Sequence, residues 1–161
     1  MTIDIASQTF STPKRSFHVL DAPGHRDFVP NMIAGATQAD FALLVLDASL
    51  GGFESGFSPL GQTREHALLV RSLGVQKLVV AVNKLDMVEW SENRFDEIST
   101  QMRQFLSQVG YSLAKLWFIP CSGLNGINLV TKSNDPRLSW YRGSALLECI
   151  GLLSKVVPSH L

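Results

Sequence analysis

The residues placed to do chemistry begin with Phe17-His18-Val19-Leu20-Asp21-Ala22-Pro23-Gly24-His25, which joins an apolar run, an acid, a turn and an imidazole in immediate succession. Phe17, Val19 and Leu20 read as a buried strand, and Pro23-Gly24 turns the chain after it. Open α/β sheets bind ligands beyond the carboxyl ends of their strands, where Asp21 falls. An acid followed by glycine suits a metal-phosphate group there, because Gly24 lets a backbone N–H approach a terminal phosphate closely. His25 stands where an imidazole could orient a water. The same residues also describe a strand ending in an ordinary turn, so this stretch alone decides nothing.

A second cluster follows the apolar run Leu78 to Val82. It is Asn83-Lys84-Leu85-Asp86. A carboxylate accepts hydrogen bonds only, and Asp86 could take two at once from the N1–H and exocyclic amine of guanine. Adenine offers no such pair. The Lys84 stem can lie along a base plane, and Asn83 can tie neighbouring loops together. An Asn-Lys-x-Asp run also arises by chance, so its weight comes from company. After another core strand, Trp117-Phe118-Ile119, comes Cys121-Ser122-Gly123, a tight turn whose backbone N–H could meet the guanine carbonyl oxygen. Three sites after strands, each matching a different part of one nucleotide, do not fall together by accident.

The elements that must position these residues are legible from pattern. Thr2 to Phe10 has strand character, Ser11 to Arg15 is a turn, and the two runs around it predict a hairpin. Phe28 to Ala36 reads as a short helix, with Pro30 tolerable only in its first turn. Phe41 to Leu46 reads as a buried strand ending at Asp47, for which a capping role is expected. Gly51 to Gly61 reads as a long glycine-rich loop carrying Phe53 and Phe57. Thr63 to Leu73 predicts a helix stopped by Gly74. Arg94 to Val109 predicts another, with an apolar stripe, Ser91 as cap and Gly110 as stop. Ala145 to Val156 closes the chain as a helix, and Pro158 ends it. Strands alternating with amphipathic helices imply a mainly parallel sheet covered on both faces.

The bulk properties agree with one ordinary domain. The chain has 161 residues, 45% hydrophobic and 17% charged, with zero formal net charge. No broad field recruits nucleic acid or membrane, so no DNA or membrane partner is expected. Two cysteines, Cys121 and Cys149, are too few for a disulfide framework and read as small packing residues. With no signal pattern and no apolar run long enough to span a bilayer, a cytoplasmic location is expected. His18 and His66 read as surface residues, and Trp90, Trp117 and Trp140 as core or rim aromatics.

These motifs resemble the translational GTPases of the elongation factor Tu and elongation factor 1-alpha type. The resemblance covers nearly the whole chain. Asp21-Ala22-Pro23-Gly24-His25 is similar to their switch II motif, Asn83-Lys84-Leu85-Asp86 to their guanine-specificity motif, and Ser122-Gly123 to their third base-contacting loop. Thr2-Ile3-Asp4-Ile5 is similar to the segment after switch I. The resemblance implies GTP and GDP as ligands, with Mg²⁺ held by Thr2 and, through water, by Asp21. It also implies that His25 positions the attacking water once the ribosome engages. Gly52-Phe53-Glu54-Ser55-Gly56-Phe57 and Gly61-Gln62-Thr63-Arg64-Glu65-His66 resemble the eukaryotic and archaeal branch. Arg71-Ser72-Leu73-Gly74-Val75 and Pro120 to Gly126 look most like the ribosome-rescue GTPase that partners Pelota in no-go decay. That resemblance implies the ribosome, its ribosomal RNA and a Pelota-type release-factor-like protein as partners. Elongation factor 1-alpha, the termination-factor GTPase and the GTPase subunit of sulfate adenylyltransferase are the neighbouring alternatives. A non-catalytic interaction fragment is the alternative from another class.

The family's phosphate loop, Gly-x-x-x-x-Gly-Lys-Ser/Thr, is missing from these residues. Gly56-x-x-x-x-Gly61-Gln62-Thr63 lacks the lysine and follows no strand directly, so it is a decoy. The expected fold is therefore a P-loop GTPase-type, mostly parallel sheet with helices on both faces, lacking the first strand and phosphate loop. In domain terms, residues 1–157 are expected to be a partial GTP-binding domain and 158–161 the start of a linker to absent β-barrels. The lost amide and lysine bonds to charged phosphates are worth about 1.5–3 kcal/mol each. Losing four or so costs on the order of five decades in affinity, so impaired hydrolysis is expected. The family fold would place the lost strand between those ending at Leu20 and Leu46. Two facing edges then stand open, and the chain expressed alone is expected to be unstable or aggregated.

Overall fold

The structure, a computed structural model, describes residues 6–21 and 39–153. The chain begins with a hairpin in which β1 (Ala6–Ser11) pairs antiparallel with β2 (Ser16–Asp21), from Ala6 opposite Asp21 to Ser11 opposite Ser16. The turn between them is fastened at Thr12, whose carbonyl and hydroxyl oxygens both accept from the Arg15 N–H. The hairpin is as expected, with β2 running through the acid that was to end it.

A second sheet has three parallel strands in the order β3 (Ala42–Asp47), β4 (Leu78–Asn83), β5 (Leu116–Pro120). Between the strands run α1 (Gly52–Phe57), α2 (Gln62–Ser72) and α3 (Glu92–Gln108), and α4 (Leu146–Leu153) comes last. β4 is paired on both sides and buried from Leu78 to Val82, as a continuous Leu/Val/Ala run should be in a parallel sheet. On one face Leu78, Val80, Val82 and Phe118 pack with the α3 stripe of Phe95, Ile98, Met102 and Leu106. On the other, Val79 and Ile119 meet Cys149, Leu146 and Leu153 of α4. The parallel sheet with helices on both faces matches the expectation.

The α3 boundaries follow from local chemistry. The Ser91 hydroxyl accepts from the Arg94 N–H at 3.1 Å, satisfying one of the donors that a helix start leaves open. Gly110, at φ +106°, ends the helix in a conformation costly for any residue with a Cβ. Ile98, Met102 and Leu106 are fully buried, and truncating side chains this deep costs on the order of 2–5 kcal/mol.

Two expectations are corrected. β3 is not buried along its length: Leu46 is, but Leu43 and Val45 are 43% and 58% exposed. Among the described residues β3 is the edge of its sheet, and the α4 face covers β4 and β5 instead. The stretch Gly51 to Gly61 is also not all loop, since Gly52–Phe57 forms a turn and a half of helix. Tertiary contact overrides its weak propensity. Phe53 is buried, its ring stacks on Phe57 at 5.1 Å, and Phe57 meets Phe105 of α3 edge-on at 5.6 Å. The expected helix over Phe28 to Ala36 and the end of the closing helix lie outside the described residues.

A buried cation locks α1 and α3 to the end of β3. Arg94 is 7% exposed, and each of its five N–H donors is used. Nε donates to the Ala48 carbonyl and Nη2 to the Ser49 carbonyl, both at 2.9 Å. The two Nη atoms fork onto the Glu54 carboxylate at 2.7 and 3.1 Å, and Nη1 also reaches Glu97 at 3.1 Å. Glu54 in turn accepts from the Gly51 N–H at 2.9 Å. The Arg94 guanidinium, aided by backbone N–H groups, brings the Glu54 carboxyl from its ordinary 4.5 down to about 2. A carboxyl lowered by folding stabilises above its unfolded pKa and loses that contribution as pH falls through the folded one. The chain should therefore lose stability between about pH 4.5 and 2, more steeply than Glu54→Gln. Urea denaturation of both at pH 6 and pH 3 checks this; equal losses would contradict it.

Candidate functional site

The parallel register brings the strand ends level. Asp47 is the partner of Asn83, and Val82 of Pro120. The connections beyond the strands continue the lacing: the Ala48 N–H donates to Asn83 O at 2.9 Å and the Cys121 N–H to Val82 O at 3.0 Å. The Leu85 N–H donates to Cys121 O at 3.3 Å. Three loops are thereby gathered at one edge of the sheet, where an α/β fold binds its ligand.

Asn83 ties two of them together, as expected. Its Oδ1 accepts from the Gly123 N–H at 2.8 Å. Lys84 follows at φ +63°, a conformation uncommon for a non-glycine residue, and its half-exposed side chain stretches to Asp47, with Nζ 3.0 Å from Oδ2. Leu85 is fully buried and anchors a 3₁₀ turn, Leu85–Val88, that presents the half-buried Asp86. The turn closes through Glu89 and Trp90, both at φ +55°, with the Trp90 N–H on Leu85 O at 2.9 Å.

Ser122 is buried, and its hydroxyl accepts from the Asn125 N–H at 3.3 Å. Its own N–H donates to Ile127 O at 3.2 Å. Neither Ser122 nor Gly123 thus has an idle backbone donor: meeting a guanine oxygen through Gly123 requires Asn83 to share or release that N–H. Burial pushes the Cys121 thiol up to about 11, which fits a packing residue and not a nucleophile.

Two contributors were not assigned a site role from sequence. Asn128, fully buried at φ +61°, donates through Nδ2 to Pro120 O at 2.8 Å and so holds the end of β5. Asparagine tolerates this backbone region, but nothing in the run around Asn128 signals it. Asp47 does cap its turn, accepting from the Ser49 N–H at 2.9 Å and from the Ser49 hydroxyl, and it also takes the Lys84 ammonium. Partial burial raises its carboxyl, but the bonds from Ser49 and Lys84 outweigh that and hold it below its ordinary value. The decoy Gly56 to Thr63 runs from the last turn of α1 into the first turn of α2, and a Cβ on Gly61 would collide with the Gly56 carbonyl. His18 is exposed and His66 half-buried on α2.

Asn83, Lys84, Asp86, Ser122 and Gly123 are therefore brought to one place. Asp21 ends β2, its backbone opposite Ala6. Thr2, Gly24 and His25 lie outside the described residues. No helix among the described residues is long and apolar enough to cross a membrane.

Comparison with known proteins identifies the family and the fold. The family "Elongation factor Tu GTP binding domain" matches residues 1–158. Protein HBS1 of Drosophila melanogaster is 54% identical over 151 residues, which cover 93% of this chain and 22% of that protein. Elongation factor 1-alpha of Plasmodium falciparum is 51% identical over 150 residues, covering 93% of this chain and 33% of its own. The chain thus spans about a fifth to a third of these relatives. Among solved structures, Sup35 complexed with GMPPNP superposes with a TM-score of 0.76 at 38% identity, over 89% of this chain and 34% of that one. The GTP-bound GTPase-like domain of Saccharomyces cerevisiae Ski7 shares the fold, with a TM-score of 0.78 at 21% identity over 98% of this chain and 37% of its own.

The tie between Asn83 and Gly123 can be read in solution. A hydrogen bond of net worth ~0.5–1.5 kcal/mol corresponds to about two- to tenfold in local opening. Amide exchange at Gly123 should accelerate by that factor in Asn83→Ala. It should stay slow in Asn83→Asp, which keeps an acceptor oxygen.

Proposed function

The chain belongs to the elongation factor Tu GTP binding domain family, and from that premise we propose that it is the guanine-recognising part of a GTP-hydrolysing translation factor that works on stalled ribosomes. The observation that carries the nucleotide reading is the convergence of Asp86, Lys84 and Asn83 with the Ser122-Gly123 turn, locked by the Asn83–Gly123 bond of 2.8 Å. Asp86 selects the base, the Lys84 stem lies along its plane, and Asn83 sets the distance between the loops. In the same proposal Gly24 approaches the terminal phosphate, Thr2 and Asp21 hold Mg²⁺, and His25 orients the water that attacks GTP.

The ribosome-rescue assignment, with a Pelota-type partner, rests on the loop residues Arg71 to Val75 and Pro120 to Gly126, and a cytoplasmic location goes with a translation factor of this family. Protein HBS1 and elongation factor 1-alpha stand close together in identity to this chain, at 54% and 51%, so the nearest alternative is an elongation-factor role. The 161 residues include no phosphate loop. Unaided, these residues bind GDP weakly and turn over GTP poorly. Sedimentation with stalled ribosomes and a Pelota-type protein, without GTP turnover, would favour the interaction-fragment reading.

The base assignment has a direct test. A carboxylate at position 86 accepts from the guanine amine, whereas an amide at that position offers a donor to the second carbonyl of xanthine. With the chain kept soluble by a fused carrier and titrated at millimolar nucleotide, Asp86→Asn should move preference from GDP to XDP. An unchanged ratio would end this reading.

A further inference from the structure

We propose that Asp47 is a positioning residue of the guanine site: it pins the far end of Lys84 so that the lysine stem forms a fixed shelf for the base. The inference rests on the guanine reading above and adds a residue that the base motif does not contain.

Lys84 is held at both ends. At its root the backbone is fixed at φ +63°, between Asn83, which is bonded to Gly123, and Leu85, which is fully buried. At its tip Nζ lies 3.0 Å from Asp47 Oδ2, although both side chains keep access to water, at 50% and 34% exposure. A lysine stem otherwise has several rotatable bonds to order when a ligand arrives, and ordering it beforehand removes that cost.

Asp47 can hold the tip because it is itself held. Its other oxygen, Oδ1, takes the Ser49 N–H and hydroxyl. The carbonyls of Ala48 and Ser49 are gripped by the buried Arg94 guanidinium, which Glu54 anchors from α1. Space is controlled as well, since a Cβ on Gly52 would come within 2.6 Å of the Asp47 carboxyl carbon. Both oxygens of this carboxylate therefore have separate duties, one for its own turn and one for the neighbouring loop.

Asp47→Asn separates the two duties, because an amide oxygen still accepts from Ser49 while the charge that holds Lys84 is gone. The shelf touches the ring and not its substituents, so the variant should weaken GDP and IDP by the same factor, about two- to fivefold for a partly exposed ion pair. The GDP-to-IDP ratio stays unchanged, and the loss shrinks at ~1 M salt, where such pairs are screened. Lys84→Met removes the same interaction from the other side, so the double variant should bind no more weakly than Lys84→Met alone. Independent losses in the two variants, or no loss in Asp47→Asn, would overturn the inference while leaving the guanine reading intact. A wild-type chain that binds neither nucleotide would overturn both. If Asp47→Asn does not fold, acetylation of the wild-type chain decides: Lys84 should react more slowly than the exposed Lys14, and equal rates overturn the proposal.

Discussion

The central strand β4 is the constraint on which the rest depends. It has hydrogen-bonded neighbours on both sides and buried apolar residues from Leu78 to Val82, and its parallel pairing leaves no freedom of register. A slip by one residue would exchange the two faces and remove Val80 and Val82 from the α3 stripe. The same pairing decides where the polar residues fall. Once Leu78 lies beside Ala42 and Leu116, Asp47 must lie beside Asn83, and Cys121 must follow just beyond Val82. The cluster of loops proposed as the base site is thus a by-product of core packing, assembled from whatever each strand carries at its carboxyl end.

Arg94 performs a second task of the same kind on α3. A guanidinium at 7% exposure would be costly without partners, and here each N–H has one. Apart from Glu97 on α3 itself, the partners come from the end of β3 and from α1, so the charge that must be satisfied also dictates how these pieces sit. Glu54, on a helix of only six residues, is kept in place by the ion it neutralises. This explains why a glycine-rich stretch is helical here at all.

Most of the strands and long helices were legible because their signals are periodic and local: the apolar run of β4, the 3.6-residue stripe of α3, and Ser91 and Gly110 at its ends. The loop cluster proposed to hold guanine was legible because its residues follow strands and keep their order. What was not legible depends on contacts between distant residues. Leu43 and Val45 have the composition of a buried strand, and only the sheet order shows β3 to be an edge among the described residues. Asp47 looked like a turn cap, which it is, but its grip on Lys84 crosses 37 residues of sequence. The Arg94 network spans a similar separation, and the Gly123 N–H is committed to Asn83 across 40 residues of sequence. Membership of the elongation factor Tu GTP binding domain family agrees with this division, since family motifs are the local part of the pattern.

The segment from Lys84 to Trp90 contains three non-glycine residues at positive φ: Lys84, Glu89 and Trp90. Each stands on the order of 1 kcal/mol above an ordinary backbone conformation. Their shape is imposed by the buried Leu85 and Trp90 side chains, not chosen by the residues themselves. Such a segment resembles a catch under tension more than a hinge. It holds one shape while its two buried anchors stay seated, and loss of either would release it abruptly instead of letting it bend by degrees.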